Sequence, residues 1–202
     1  MRWSLIGPRS YEAATRDRFA GDAPFSTVAK VIARIFTLLA ALAMSVSGVI
    51  QAVRPFDADP RVLGEEHLLL ALFAAGLVLL IPGLLELRRF GSANLGVLAV
   101  SAGHVLLAFG ATSSNVKGED FSWFPYVALP ANLAILAGSI TMAVTLWRAD
   151  RFPRPLAAAL PLVWVCEVPL SQLGGGLVVG VFWLVVVHHL SKTPVYREAV
   201  TD

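Results

Sequence analysis

Three ionisable side chains stand within apolar stretches of this chain: Glu66, His104 and Glu167. An ionisable group in such surroundings is costly, and it marks a pathway, a counter-ion or a site of proton chemistry. Two carboxyl groups can share a proton, or one can be kept neutral by burial and act as an acid. An imidazole nearby can relay that proton. Glu167, Glu66 and His104 are therefore the candidate catalytic set. Other residues suit holding a ligand rather than reacting with it. Asn132, Gln51, Ser171 and Gln172 offer hydrogen bonds, while Trp164, Phe73 and Trp123 offer aromatic faces to a cation or an apolar molecule.

The stretch from Trp164 to Gly176 carries the sharpest signal. It reads Trp-Val-Cys-Glu-Val-Pro-Leu-Ser-Gln-Leu-Gly-Gly-Gly. A carboxylate stands two residues before a proline; a hydroxyl and an amide follow, and then three glycines that suit a tight turn. Structural readings stand beside the chemical ones. Glu65, Glu66 and His67 open an apolar run, where carboxylates favour the positive end of a helix dipole. His104 and Asn132 also suit hydrogen bonding between helices. Glu86 with Arg88 and Arg89 reads as an interfacial charge cluster, and His188 and His189 read as interfacial.

These residues need elements to hold them, and composition says of what kind. Of 202 residues 56% are hydrophobic and only 15% are charged, against about 25% charged in an ordinary soluble domain. The charges fall between long apolar runs. That pattern predicts an all-α, polytopic integral membrane bundle with membrane lipids as its surroundings. The small positive charge then describes loops at a membrane surface, and no nucleic-acid partner is expected. Counting about 20 residues per span gives apolar runs at 35–53, 62–87, 93–112 and 124–147. A last run, 156–190, is too long for one span and short for two. The glycines at 174–176 divide it into two short helices, which makes six transmembrane helices.

Domain boundaries follow: a cytosolic arm at 1–30, a six-helix domain at 31–191 and a cytosolic tail at 192–202. The arm has scattered arginines and no apolar centre, unlike a cleavable signal peptide. With six spans both termini share one side. Thirteen of the sixteen Lys and Arg residues then lie on that side, so both termini are expected in the cytoplasm of a multi-pass cell-membrane protein. Trp123, Phe124 and Tyr126 suit an outer aromatic belt and Trp147 an inner one. Glycines 96, 103 and 110, the pair Ala134 and Gly138, and the pair Gly176 and Gly180 are spaced for close helix packing.

On this topology Gln51, Glu66, His104, Asn132 and Glu167 all fall in the outer half of the bilayer. Thr37, Ala40, Met44, Ser47 and Gln51 form one stripe. Ser101, His104, Ala108 and Thr112 form another, Ala128, Asn132 and Ser139 a third, and Trp164, Glu167 and Ser171 a fourth. Polar stripes should face the bundle interior or water rather than lipid. An outward-opening polar pocket among the first five helices is the expectation. It suits a lipid-like or isoprenoid ligand, with acid–base isomerisation or cyclisation as the reaction class. In size and general layout the chain resembles the small integral-membrane terpene cyclases, which use carboxylates in a helical bundle, although no motif matches residue by residue. The alternatives are a small proton-coupled transporter and a non-catalytic membrane subunit joined to a protein partner. The sequence has no G-x-S-x-G and no His-Glu-x-x-His. Neither a metal nor a cofactor is expected, His67 and His104 being the only histidines at related depths for a haem.

Overall fold

The computed structural model describes residues 27–54 and 61–192. Residues 1–26, 55–60 and 193–202 lie outside the described residues, and with them most of the proposed cytosolic segments. Among the described residues six α-helices follow one another: α1 (Thr27–Val53), α2 (Glu65–Leu87), α3 (Asn94–Lys117), α4 (Phe124–Ala149), α5 (Arg154–Glu167) and α6 (Gly175–Lys192). All but α5 are long and apolar enough to cross a membrane, and the protein is a helical membrane bundle. Helices suit lipid because they satisfy their own backbone hydrogen bonds. At fourteen residues, α5 extends only about 21 Å, less than the roughly 30 Å of a hydrocarbon core.

The breaks have local causes. Pro125 and Pro155 sit in the first turns of α4 and α5, where a missing N–H costs nothing. α3 closes on Gly118, whose left-handed backbone (φ 78°) lets its N–H reach Ser114 O at 2.9 Å. α5 stops at Glu167 because Pro169 has no N–H to give to Val165 O, which accepts from the Leu170 N–H at 3.0 Å instead. A 3₁₀ turn, Ser171–Leu173, and Gly174 at φ 83° then reverse the chain into α6.

Two boundaries differ from expectation. α1 begins at Thr27, eight residues before the apolar run, because Lys30 and Arg34 continue the helix past its apolar part. α3 runs five residues beyond Thr112, through a segment whose polarity suggests a loop, so Ser114 and Asn115 are helical.

Each helix packs on the next in sequence, and α6 returns to α1, closing a ring of six. Small residues make the seams close. On α3, a methyl at Gly96 or Gly103 would meet Gly138 O or Ala131 O of α4 at 2.8 or 2.6 Å. Gly110 faces the ring of Phe124, so Phe124 turns inward rather than joining a lipid-facing belt. Gly48 of α1 lies against the backbone of Gly176 and Leu177, and Gly180 against Ala41 and Ser45. Leu77, Leu80, Met142, Val179 and Trp183 lie in the core among these seams.

At the end where α2 finishes, Glu86 Oε1 meets Arg34 at 3.3 Å and Arg89 at 3.1 Å. Arg89 also donates to Leu190 O of α6 at 3.2 Å. The expected interfacial cluster is partly internal: Glu86 is buried between two arginines, and Arg88 turns away to Asn94.

Candidate functional site

The opposite end of the ring opens into a cavity of about 510 Å³, within the range of roughly 300–1,000 Å³ typical of small-molecule sites. All six helices reach it. Its wall is apolar where Met44, Leu69, Phe73, Leu107 and Phe124 face inward. Arg54, Arg61, Glu66 and Asp120 border it, as do Ser47, Gln51, Asn132, Glu167, Ser171 and Gln172. Of the residues singled out by sequence, Gln51, Glu66, Phe73, Asn132, Glu167, Ser171 and Gln172 line this cavity. His104 and Trp164 border a much smaller void, which Glu167 also touches. Trp123 lines neither space; its ring stacks on Phe109 and Phe121, with centroids 5.9 and 5.2 Å apart.

Glu167 is the last residue of α5, at the helix end whose dipole opposes negative charge. It is 3% exposed. Its Oε2 lies 3.8 Å from His104 Nε2, a distance for charge interaction and beyond a good hydrogen bond. Glu167 Oε1 and His104 Nδ1 are buried and have no hydrogen-bond partner within the protein. The ring closure explains the pairing: α3 and α5 both pack on α4, and the glycine seam sets α3 close to α4.

Glu66 is held differently. One oxygen accepts from Arg54 at 2.6 Å and the other from the Leu63 N–H at 2.8 Å. The second bond holds the chain just ahead of α2; Glu66 itself lies in the first turn, where a carboxylate suits the helix dipole, and it also borders the cavity. Asn132 accepts from Trp164 Nε1–H at 3.0 Å and donates to Ala128 O at 2.8 Å. That pairing joins α4 to α5, the interhelical role its position suggests. Ser171 donates to Val168 O at 2.8 Å and steadies the turn after α5.

Ser114, Arg54, Arg61 and Asp120 also belong to the site. The two arginines and Asp120 read in sequence only as loop charges, and Ser114 lies in the polar end of α3 that reads as loop. The signal that finds Ser114 is spacing: it continues the line from His104 through Leu107 and Ala111. A strand-like contact between Arg61 and Glu119, with Val62 N–H donating to Gly118 O at 2.9 Å, ties two connections together beside Arg61 and Asp120. Among the described residues no group of three or more His, Cys, Asp or Glu is placed to hold a metal ion. Comparison with family models, with curated proteins and with solved structures found no match.

Proposed function

We propose that this protein binds a lipid-like or isoprenoid molecule in the cavity at the α5–α6 turn and that Glu167 acts on it as a general acid–base group. What supports the reading is one observation above the rest: a buried carboxyl with an imidazole 3.8 Å away borders a ligand-sized cavity. The pair can carry one proton on either partner, which is what migration of a double bond or closure of a ring requires. Leu69, Phe73, Leu107 and Phe124 would pack the hydrocarbon part, and Gln51, Ser171 and Gln172 would meet a polar end. Glu66 would serve by fixing Arg54 at the cavity rather than by moving protons.

We place the protein in the cell membrane with both termini cytoplasmic, six segments embedded and the cavity facing outward. The basis is the Lys and Arg asymmetry, together with the break at Gly174 that divides α5 from α6.

Purified protein in nanodiscs tests ligand and chemistry separately. A photoactivatable fifteen-carbon isoprenol should label peptides containing Phe73, Leu107 or Val168. Ala111→Phe, which fills the cavity, should abolish that labelling. Isoprenol incubated with protein in D₂O should gain deuterium at carbon. Glu167→Gln should lower that gain by about 10²-fold or more while labelling persists. Labelling confined to lipid-facing residues, or undiminished in Ala111→Phe, would remove the ligand reading. The second reading is a proton-coupled carrier, favoured because Glu167 borders both the large cavity and the small void. Acidification of proteoliposomes on solute addition, with no deuterium gain, would favour it.

A further inference from the structure

Behind the cavity floor lies a second void of about 10 Å³, bordered by His104, Ser139, Trp183, Glu167 and apolar neighbours. Four helices supply the polar groups: α3, α4, α5 and α6. His104, Trp183 and Glu167 are each at most 3% exposed, and Ser139 is buried as well. His104 Nδ1, Glu167 Oε1 and Trp183 Nε1 are all sealed from solvent with no hydrogen-bond partner in the protein. Leaving one such group unsatisfied costs roughly 1–3 kcal/mol. Three such groups on residues that border one void call for a shared partner, since buried polar groups are nearly always satisfied. A void of about 10–15 Å³ takes one water molecule, and a buried water needs two to four polar neighbours.

We propose that one water molecule occupies this void, bound by the Trp183 indole N–H, the Glu167 carboxyl and the His104 imidazole. A larger guest does not fit the volume. Trp183 has only a donor to offer, so the water accepts from it and donates to the Glu167 carboxylate, while it donates to a neutral His104 or accepts from a protonated one. Trp183 thereby fixes the water's orientation and is a positioning residue. Glu167 becomes the one group that touches both the sealed water and the open cavity.

The consequence for chemistry rests on the acid–base reading of Glu167. When Glu167 gives its proton to a ligand, a protonated His104 can restore it through the water. The N–H of His104 breaks as the proton passes to the water oxygen, and an O–H of the water breaks as its proton passes to the carboxylate. His104 loses one proton, Glu167 gains one and the water is unchanged. Resupply then comes from inside the bundle and does not need the cavity to open.

Water-edited solid-state NMR on protein with ¹⁵N-labelled tryptophan tests this. Trp183→Phe assigns the signal. The Trp183 indole should receive polarisation from a bound water. Val100→Ile adds a methyl to the void wall, and that transfer should fall at least several-fold. The Trp123 indole, stacked on Phe109 and Phe121 away from the void, should keep its shift in both variants and so reports an intact fold. Ala111→Phe should leave the Trp183 water signal in place even though it blocks the ligand. No transfer to Trp183 in the unaltered protein, or undiminished transfer in Val100→Ile, overturns the water site. For the relay, Val100→Ile should slow deuterium gain about tenfold with isoprenol labelling unchanged; an unchanged rate overturns it. A bound-water signal without any isoprenol labelling would instead remove the ligand reading and leave the water site standing.

Discussion

At the scale of single residues, partners distant in sequence decide what each charge does. Glu86 stands beside Arg88 and Arg89, yet its partners are Arg34, fifty-two positions away, and Arg89. Removing a buried carboxylate from between two arginines leaves positive charge uncompensated. Glu86→Leu should therefore destabilise the protein by about 3–5 kcal/mol, read as a lower unfolding midpoint in detergent. Arg88→Leu, which touches Asn94 instead, should cost far less. Glu119 offers a contrast outside the helices. A hydrogen bond from Lys117, at 2.7 Å, and the charge behind it hold its carboxyl below the usual carboxylate range. A carboxyl depressed in the folded state stabilises it above the unfolded value, and that contribution is lost as pH falls through the folded value. The pair is exposed and salt screens it. Lys117→Gln should raise the Glu119 titration midpoint, followed by NMR, with little change in melting. Composition and apolar spacing make Glu167 and His104 conspicuous before any coordinates exist. Their 3.8 Å approach is not legible, because it depends on how α3 and α5 are each rotated against α4.

At the scale of elements, the glycine pattern was the most legible feature, and it has a geometric reason. A residue that must vanish for two backbones to approach leaves a trace at seven- or four-residue spacing whatever the partner is. What spacing leaves open is which helix sits opposite. α6 packs on α1 through Gly176 and Gly180, a closure that joins the two ends of the domain. A methyl at Gly48 would run into the backbone of Leu177, which cannot move aside as a side chain can. Gly48→Ala should cost about 1–3 kcal/mol or more and force α1 from α6. Since Gly48 and Gly176 both line the cavity, isoprenol labelling should fall in the same variant. Gly118→Ala makes the comparison: it adds a methyl into open space at φ 78°, so its cost is the left-handed strain alone, about 1–2 kcal/mol, with labelling intact. The polar stripes were legible in part. Thr37, Ala40, Met44 and Ser47 are all buried as one line. The α3 line departs from expectation at Thr112, which is exposed, and continues instead through Ala111 and Ser114. Polarity alone ended that helix too soon.

At the scale of the whole molecule, the two ends of the ring differ in kind. One is closed by Arg34, Glu86, Arg89 and the carbonyl of Leu190. The other opens into the cavity and is edged by Arg54, Arg61, Glu66 and Asp120. If positive residues remain cytoplasmic, the closed end lies inside and the cavity drains outward. The native Cys166 is half-buried in α5, so Cys166→Ser provides a background for single reporters. Leu173, 77% exposed in the turn after α5, marks the cavity end. Arg151, exposed between α4 and α5, marks the other. Leu173→Cys should react with a membrane-impermeant maleimide on intact cells, and Arg151→Cys only after permeabilisation. The reverse pattern would turn the cavity to the cytoplasm, where a soluble metabolite could enter as readily as a lipid. Orientation therefore decides more than topology. With the cavity outward, Glu167 and the closed end lie on opposite sides of the bundle. A proton taken up at one must then cross the helices or return by the route it came. On the acid–base reading the proton returns locally through Glu167 and His104, and on the carrier reading it must be delivered across to the closed end, so the two readings part at this step.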